Sequence, residues 1–258
     1  MFKNAGTSFD WSLRRCFGDA FIEHHDDDAM RKGADYLEPF LLDRPHIKAL
    51  SSHWITFPLP VPPKIECHLA IFFRDPIERM RSVYNFERRQ LPAETPGSKK
   101  AKELNFLDYM RWQLQPMPGP VVKNFHTRYC SGNYLGEDLE ELYGLALATV
   151  ESTPLVGLVH RYDESIVLFE YLLHQKFPGL DLAYRRQNSS DDTDSTLQQR
   201  RQAVLSELAP VEADIIEANE YDLRLYELVV SRFDLALSQV PDVPTRLDDL
   251  ARRNALLL

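Results

Sequence analysis

The chain is poor in cysteine, with only Cys16, Cys67 and Cys130 among 258 residues. An odd count with neither zinc-ligand nor Cys-x-x-Cys spacing argues against bridges or a metal site and for buried free thiols, which suits a reducing compartment. No apolar run approaches the length of a membrane span, and the N-terminus lacks the charged-then-apolar layout of a secretion signal. A cytoplasmic protein is therefore expected, with loss of an upstream membrane anchor as the alternative. An excess of positive charge is also missing. The formal net charge is −9, and Lys and Arg are interspersed with Asp and Glu. That argues against a nucleic-acid partner held through its phosphates, whereas a small anion needs only a local positive pocket.

What is present is enough chain to bury one sizeable core. Short apolar runs alternate with helical periodicity, which indicates an α/β fold with a parallel sheet flanked by helices. A single domain over residues 1–240 is expected, followed by an accessory tail or short helix over 241–258. His68–Phe73 and Leu155–Val159 read as buried strands. Apolar spacing predicts helices over Lys102–Gln115 and Gly136–Glu151, a helix N-capped by Asp163, and long helices from Thr196 to about Val240. Glu23–Asp28 reads as a solvated loop, with a metal site as the alternative, weakened because consecutive residues cannot all face one ion. Thr56–Lys64, with four prolines, is an extended connector, Gln90–Lys102 an exposed basic loop, and Tyr184–Asp194 a polar loop.

Two segments carry chemistry. Lys3-Asn4-Ala5-Gly6-Thr7-Ser8 is a small-residue turn ahead of a predicted helix bearing Trp11, Leu13, Cys16 and Phe17. Backbone amides there can approach an anion, the helix dipole favours it, and Lys3 adds a point charge. The same residues also make an ordinary helix N-cap. Arg74-Asp75-Pro76-Ile77-Glu78-Arg79-Met80-Arg81-Ser82 follows directly on the His68–Phe73 strand, so Arg74 stands at a strand's C-terminal edge, where open α/β sheets place ligands. Pro76 suits a first helical turn, and Arg74 with Ser82 would grip one anion. Alternatively Arg74, Glu78 and Arg81 form a solvated salt-bridge face.

These segments resemble the 3'-phosphoadenosine 5'-phosphosulfate (PAPS) dependent sulfotransferases, in the carbohydrate branch that includes heparan sulfate 2-O-sulfotransferase-like and bacterial enzymes. That family pairs a Pro-Lys-Thr-Gly-Gly-Thr-Ser loop with an Arg-Asp-Pro-x-x-Arg-x-x-Ser-x-Tyr segment, and the second matches here without a gap through Tyr84-Asn85-Phe86. Asn124–Gly132, Val156–Ser165 and Asn219–Tyr226 are similar to later family segments in the family's order. The resemblance implies a P-loop-like phosphate-binding turn as in nucleotide kinases, PAPS as donor with PAP as product, and sulfuryl transfer to a hydroxyl, with a saccharide as expected acceptor. It implies Lys3, Ala5, Gly6, Thr7 and Ser8 at the 5'-phosphosulfate and Arg74 and Ser82 at the 3'-phosphate. No metal is expected.

In-line transfer needs a cation at the leaving phosphate, assigned to Lys3, and a general base, assigned to His53 in Ser51-Ser52-His53-Trp54. The alternative for His53 is a structural histidine capping a strand end. Glu23, His24 and His25 are the fallback base. Arg128 is a residue near substrate, Arg185 and Asn188 are candidates to close over the nucleotide, and Asp222 and Tyr226 are packing residues. Only Met1 and Phe2 stand where the family has its first strand, and Ala5 replaces a family glycine, so it is expected at negative φ. Two rivals remain: a degenerate relative that binds PAP or a glycan without turnover, and a P-loop kinase, which would need the Gly-Lys-Ser/Thr ending missing here.

Overall fold

The computed structural model describes residues 4–59, 62, 64–117, 119–185 and 195–257. In chain order the elements are α1 (Gly6–Phe17), β1 (Phe21–His24), α2 (Asp27–Met30), α3 (Ala34–Leu42), β2 (Ala49–Ser52), β3 (Ala70–Phe73), α4 (Pro76–Arg89), α5 (Pro96–Glu103), α6 (Phe106–Leu114), α7 (Phe125–Cys130), α8 (Leu139–Ser152), β4 (Leu155–Leu158), α9 (Tyr162–Leu173), α10 (Leu197–Glu207), α11 (Glu212–Ala218), α12 (Glu220–Ser238) and α13 (Val243–Ala255). The protein is a mostly helical α/β structure. Among the described residues its strands form two separate two-stranded parallel sheets, β1–β2 and β3–β4, rather than one continuous sheet. No described strand joins them; each strand is four residues long and is paired on one side.

The chain forms two compact units, one of Met1–Phe73, Ala148–Ser189 and Val229–Leu258, the other of Arg74–Leu147 and Ser190–Leu228. In the first, β3 and β4 pair in register from Ala70↔Leu155 to Phe73↔Leu158. Gly157 lies opposite Phe72, and a Cβ there would stand 2.8 Å from the Phe72 ring, so only glycine admits that ring. Phe72 in turn stacks on Tyr162 at 5.1 Å and meets Phe9 and Phe169 edge-on or tilted at 5.2 Å each, and Phe169 is fully buried. These rings place α1 and α9 against β3. Helix α13 lies in the expected tail, where Arg253 pairs with Glu170 of α9 at 2.8 Å and the Asn254 side chain accepts from the Tyr184 amide at 2.8 Å.

The second unit packs α4, α5 and α6 around Tyr84, Phe106 and Tyr109, with Tyr84 5.3 Å from Phe106 and 5.2 Å from Tyr109. The expected basic loop is instead helix α5. Thr95 and Ser98 form a reciprocal capping box, Pro96 opens the first turn, and Ala101 is fully buried. The helix expected over 102–115 is likewise broken at Asn105, whose side chain accepts from the Asp108 amide and starts α6 anew. In the first unit the expected loop over 23–28 is partly strand β1, since Phe21 and His24 are buried at its two ends, and Asp26 then caps α2 through the Ala29 amide at 2.9 Å. Asp163 does not cap α9; Arg161 holds that position, and Asp163 accepts from the Tyr184 hydroxyl at 2.5 Å. All three cysteines are free, but only Cys130 is buried; Cys16 is half-buried and Cys67 exposed. No helix of the described residues is long and apolar enough to cross a membrane.

Candidate functional site

Ala5 precedes α1 with φ 62° and ψ 16°, the left-handed conformation, contrary to the expected negative φ. A methyl-bearing residue held there costs about 1 kcal/mol or more. The surroundings enforce it: Asn4 is 3% exposed and donates from Nδ2 to the Phe72 carbonyl at 2.7 Å, fixing the backbone just before the turn. Ala5 makes no side-chain cap bond, no acidic residue sits in the first turn, and Gly6 and Thr7 are exposed while Ser8 is half-buried. The 12-residue helix therefore directs the positive end of its dipole toward an exposed turn. Replacing Ala5→Gly should stabilise the protein by about 0.5–1 kcal/mol, the relieved strain less the glycine entropy. Equilibrium denaturation checks this; a less stable variant would mean that the turn is not strained. Lys3 lies outside the described residues.

A second group of side chains gathers in the same unit, at the C-terminal ends of β1 and β2. Parallel register sets Glu23 beside Ser51 and His24 beside Ser52, so His25 and His53 leave the sheet at the same edge. Glu23 pairs with Arg14 of α1 at 2.5 Å and lies 3.5 Å from His25 Nε2. Asp10, also on α1, bonds to the Ser51 side chain; burial, with Glu23 adding to it, raises its pKa against that bond. His53 is exposed at the edge, and its partial burial lowers its pKa, opposed by Asp27 and Glu23, so the ring is neutral at neutral pH. Of the fallback residues, His24 turns inward, with Nε2 2.6 Å from the Tyr36 hydroxyl and its ring against Tyr36 and Phe40. Glu23 and His25 remain at the edge. Asp10 was not marked by the sequence reading, although its place four residues after Gly6 puts it on the same face of α1.

The Arg74–Ser82 segment behaves differently from a solvated face. Asp75 caps α4 through the Ile77 and Glu78 amides at 3.0 and 2.9 Å, and Pro76 occupies the first turn as expected. Arg74 donates from Nε and Nη2 to the two oxygens of Glu78 at 3.3 and 3.2 Å. Arg200 of α10 donates from Nε to the same carboxylate at 2.7 Å, and Arg201 lies 3.4 Å from Asp75. Burial would raise the Glu78 pKa, but Arg74 and Arg200 outweigh it and hold the carboxyl ionised. Three guanidiniums thus face two carboxylates in a chain of strongly negative net charge. Ser82 is half-buried one turn beyond Glu78 on α4. Arg81 does follow the surface-pair reading: it pairs with Glu207 and covers the Phe106 ring at 3.8 Å. Arg200 and Arg201 escaped the sequence reading because their link to α4 is made only by folding.

Arg79, in the same segment, is structural. It is 2% exposed, donates to the Val121 carbonyl at 2.8 Å and lies 3.5 Å over Phe125. Burial lowers its pKa to about 10, with Asp222 opposing, so it stays charged. Asp222 accepts from the His126 and Thr127 amides at 2.9 and 2.8 Å and caps α7, while its own amide donates to Asn124 Oδ1 at 3.0 Å. Arg128 donates to the Tyr134 and Gly136 carbonyls, at 3.3 and 2.7 Å. Tyr226 is buried on α12. Arg185 lies 5.9 Å over the Trp11 ring, whereas Asn188 lies outside the described residues. Among the described residues no group of three His, Cys, Asp or Glu side chains is placed to hold a metal ion.

The chain is similar to an uncharacterized protein of Archaeoglobus fulgidus, 28% identical over 243 residues that cover 90% of this chain and 94% of that protein. No family model matches the chain, and no solved structure matches it.

Proposed function

We propose that this protein is a PAPS-dependent sulfotransferase, cytoplasmic, that moves a sulfuryl group to a hydroxyl of a saccharide acceptor. The observation that carries the reading is Arg74. It follows directly on strand β3, is held by a Glu78 carboxylate that it shares with Arg200, and keeps Nη1 without a partner among the described residues. A strand-end guanidinium positioned in this way and only partly satisfied suits a phosphate monoester.

PAPS would supply the electrophilic sulfur and a phosphate leaving group. In this assignment Arg74 and Ser82 hold the 3'-phosphate, and the amides and hydroxyls of Gly6, Thr7 and Ser8, with Ala5 shaping the turn, receive the 5'-phosphosulfate. Lys3 neutralises charge there. His53, neutral and exposed, accepts the acceptor hydroxyl's proton on an unprotonated ring nitrogen. Ala5 in the left-handed conformation supports the reading, since the turn keeps the shape a glycine would give it.

Arg74→Ala tests the assignment. Loss of charge-assisted bonds worth about 1.5–3 kcal/mol should weaken PAP binding roughly ten- to a hundredfold, with ADP affinity unchanged. PAP bound as tightly by the variant as by the parent would refute it.

A further inference from the structure

We infer that Arg200 completes the phosphate site of Arg74 and Ser82, so that α10 supplies a second guanidinium to the terminal phosphate of the bound nucleotide while Glu78 positions both. The inference rests on the sulfotransferase reading for the identity of that nucleotide, and on three observations of its own.

The first is the sharing of one carboxylate. Glu78 Oε1 accepts from Arg74 Nη2 at 3.2 Å and from Arg200 Nε at 2.7 Å, which brings two guanidiniums onto one acceptor. An anion between them offsets the repulsion of two like charges, and Glu78, with its side chain 9% exposed, is a single charge for two. The second is the set of unspent donors. Arg200 uses Nε on Glu78 and Nη1 on the Ser195 carbonyl, leaving Nη2 without a partner among the described residues; Arg74 likewise leaves Nη1. Each of these nitrogens carries two hydrogens, so four N–H groups remain at a cluster where Arg201 adds a third positive charge beside Asp75. The third is access. The Arg74 and Arg200 side chains are 19% and 22% exposed, buried enough to be fixed and open enough to meet a solute.

A singly charged carboxylate leaves this cluster one positive charge in excess, and a phosphate monoester dianion suits it better than a second carboxylate would. Its oxygens match guanidinium forks, which a lysine cannot reproduce. Glu78 keeps its bonds to Nε of each arginine and acts as a positioning residue.

The test is calorimetric titration of the full chain and of Arg200→Ala and Arg200→Lys with PAP, ADP and inorganic phosphate. The inference predicts that Arg200→Ala weakens PAP about ten- to a hundredfold and leaves ADP within about twofold, with Arg200→Lys recovering only part of the loss. Unchanged ADP affinity shows that the variant is folded. If Arg74→Ala weakens PAP and Arg200→Ala does not, the inference fails while the nucleotide reading stands. If the parent prefers PAP no more than ADP, the nucleotide reading fails, and inorganic phosphate then decides: saturable binding lost in Arg200→Ala upholds the phosphate site, and its absence in the parent overturns it.

Discussion

Replacing His53→Ala should lower turnover by about 10²–10⁴-fold, the usual worth of a positioned general base, while leaving PAP affinity within about twofold of the parent. The separation follows from role. His53 stands at the β1–β2 edge with Asp10, Glu23, His25 and Ser51 and is assigned to the acceptor, whereas Arg74, Arg200 and Ser82 hold phosphate in the proposed assignment. A base must be neutral to accept a proton. Burial lowers the His53 pKa below the ordinary histidine value, so the ring is neutral above that lowered value and charged only below it. Turnover should therefore be flat on this group from about pH 6.5 upward and fall on the acid side. The measurement is release of PAP from PAPS in the presence of a hydroxyl-rich saccharide, followed against pH. Turnover in His53→Ala within about threefold of the parent would remove His53 from the reaction and turn attention to Glu23 or His25.

Asp222→Ala should cost about 3–5 kcal/mol of stability, because it leaves two buried amides of α7 without their acceptor and removes a negative charge that favours the buried Arg79 guanidinium. Asp222 is 2% exposed and receives two backbone amides, and Arg79, equally buried, carries its charge nearby. Neutral His126 cannot substitute: its ring lies 3.6 Å from Asp222, and burial, with Arg79 adding to it, holds its pKa well below the ordinary value. Asn124, at φ 47°, and Asn219 complete the clamp, with the Asn124 amide donating to Asn219 Oδ1 at 3.2 Å. Thermal unfolding should show a midpoint lower by roughly 10 °C. A loss below about 1 kcal/mol would mean that water or a neighbour replaces the carboxylate.

The parts legible in the sequence were those fixed by local chemistry. Pro76 after Arg74-Asp75 marks a helix start whatever the tertiary context, and α4 begins there. The apolar run through Phe73 makes β3, and Leu155–Leu158 makes β4, because both are buried among rings and aliphatic side chains. Local signals also existed where the reading went astray: Thr95-Pro96 with Ser98 is a capping box, hidden by the charge of the lysines that follow. Strand β1 was not legible, since Glu23 and His24 interrupt its apolar pattern although Phe21 and His24 are its buried anchors.

The proposed site divides along the same line. Arg74, Ser82 and the Gly6–Ser8 turn stand in contiguous segments and could be marked from spacing. Arg200, more than a hundred residues beyond Glu78, meets it only through the packing of α10 on α4, which no local pattern announces. Asp10 lies between these cases: its helix was expected, but its bond to Ser51 depends on the register of β1 and β2. The backbone of Ala5 was misread because the penalty of a left-handed alanine was weighed without the Asn4 bond to the Phe72 carbonyl that holds the turn in place.

The most direct test of the account is calorimetric titration of the unmodified chain with PAP against ADP, which lacks the 3'-phosphate. The account predicts saturable PAP binding at least about tenfold tighter than ADP, as one additional charge-assisted phosphate contact requires. Equal affinity for the two nucleotides, or binding of neither, would contradict it.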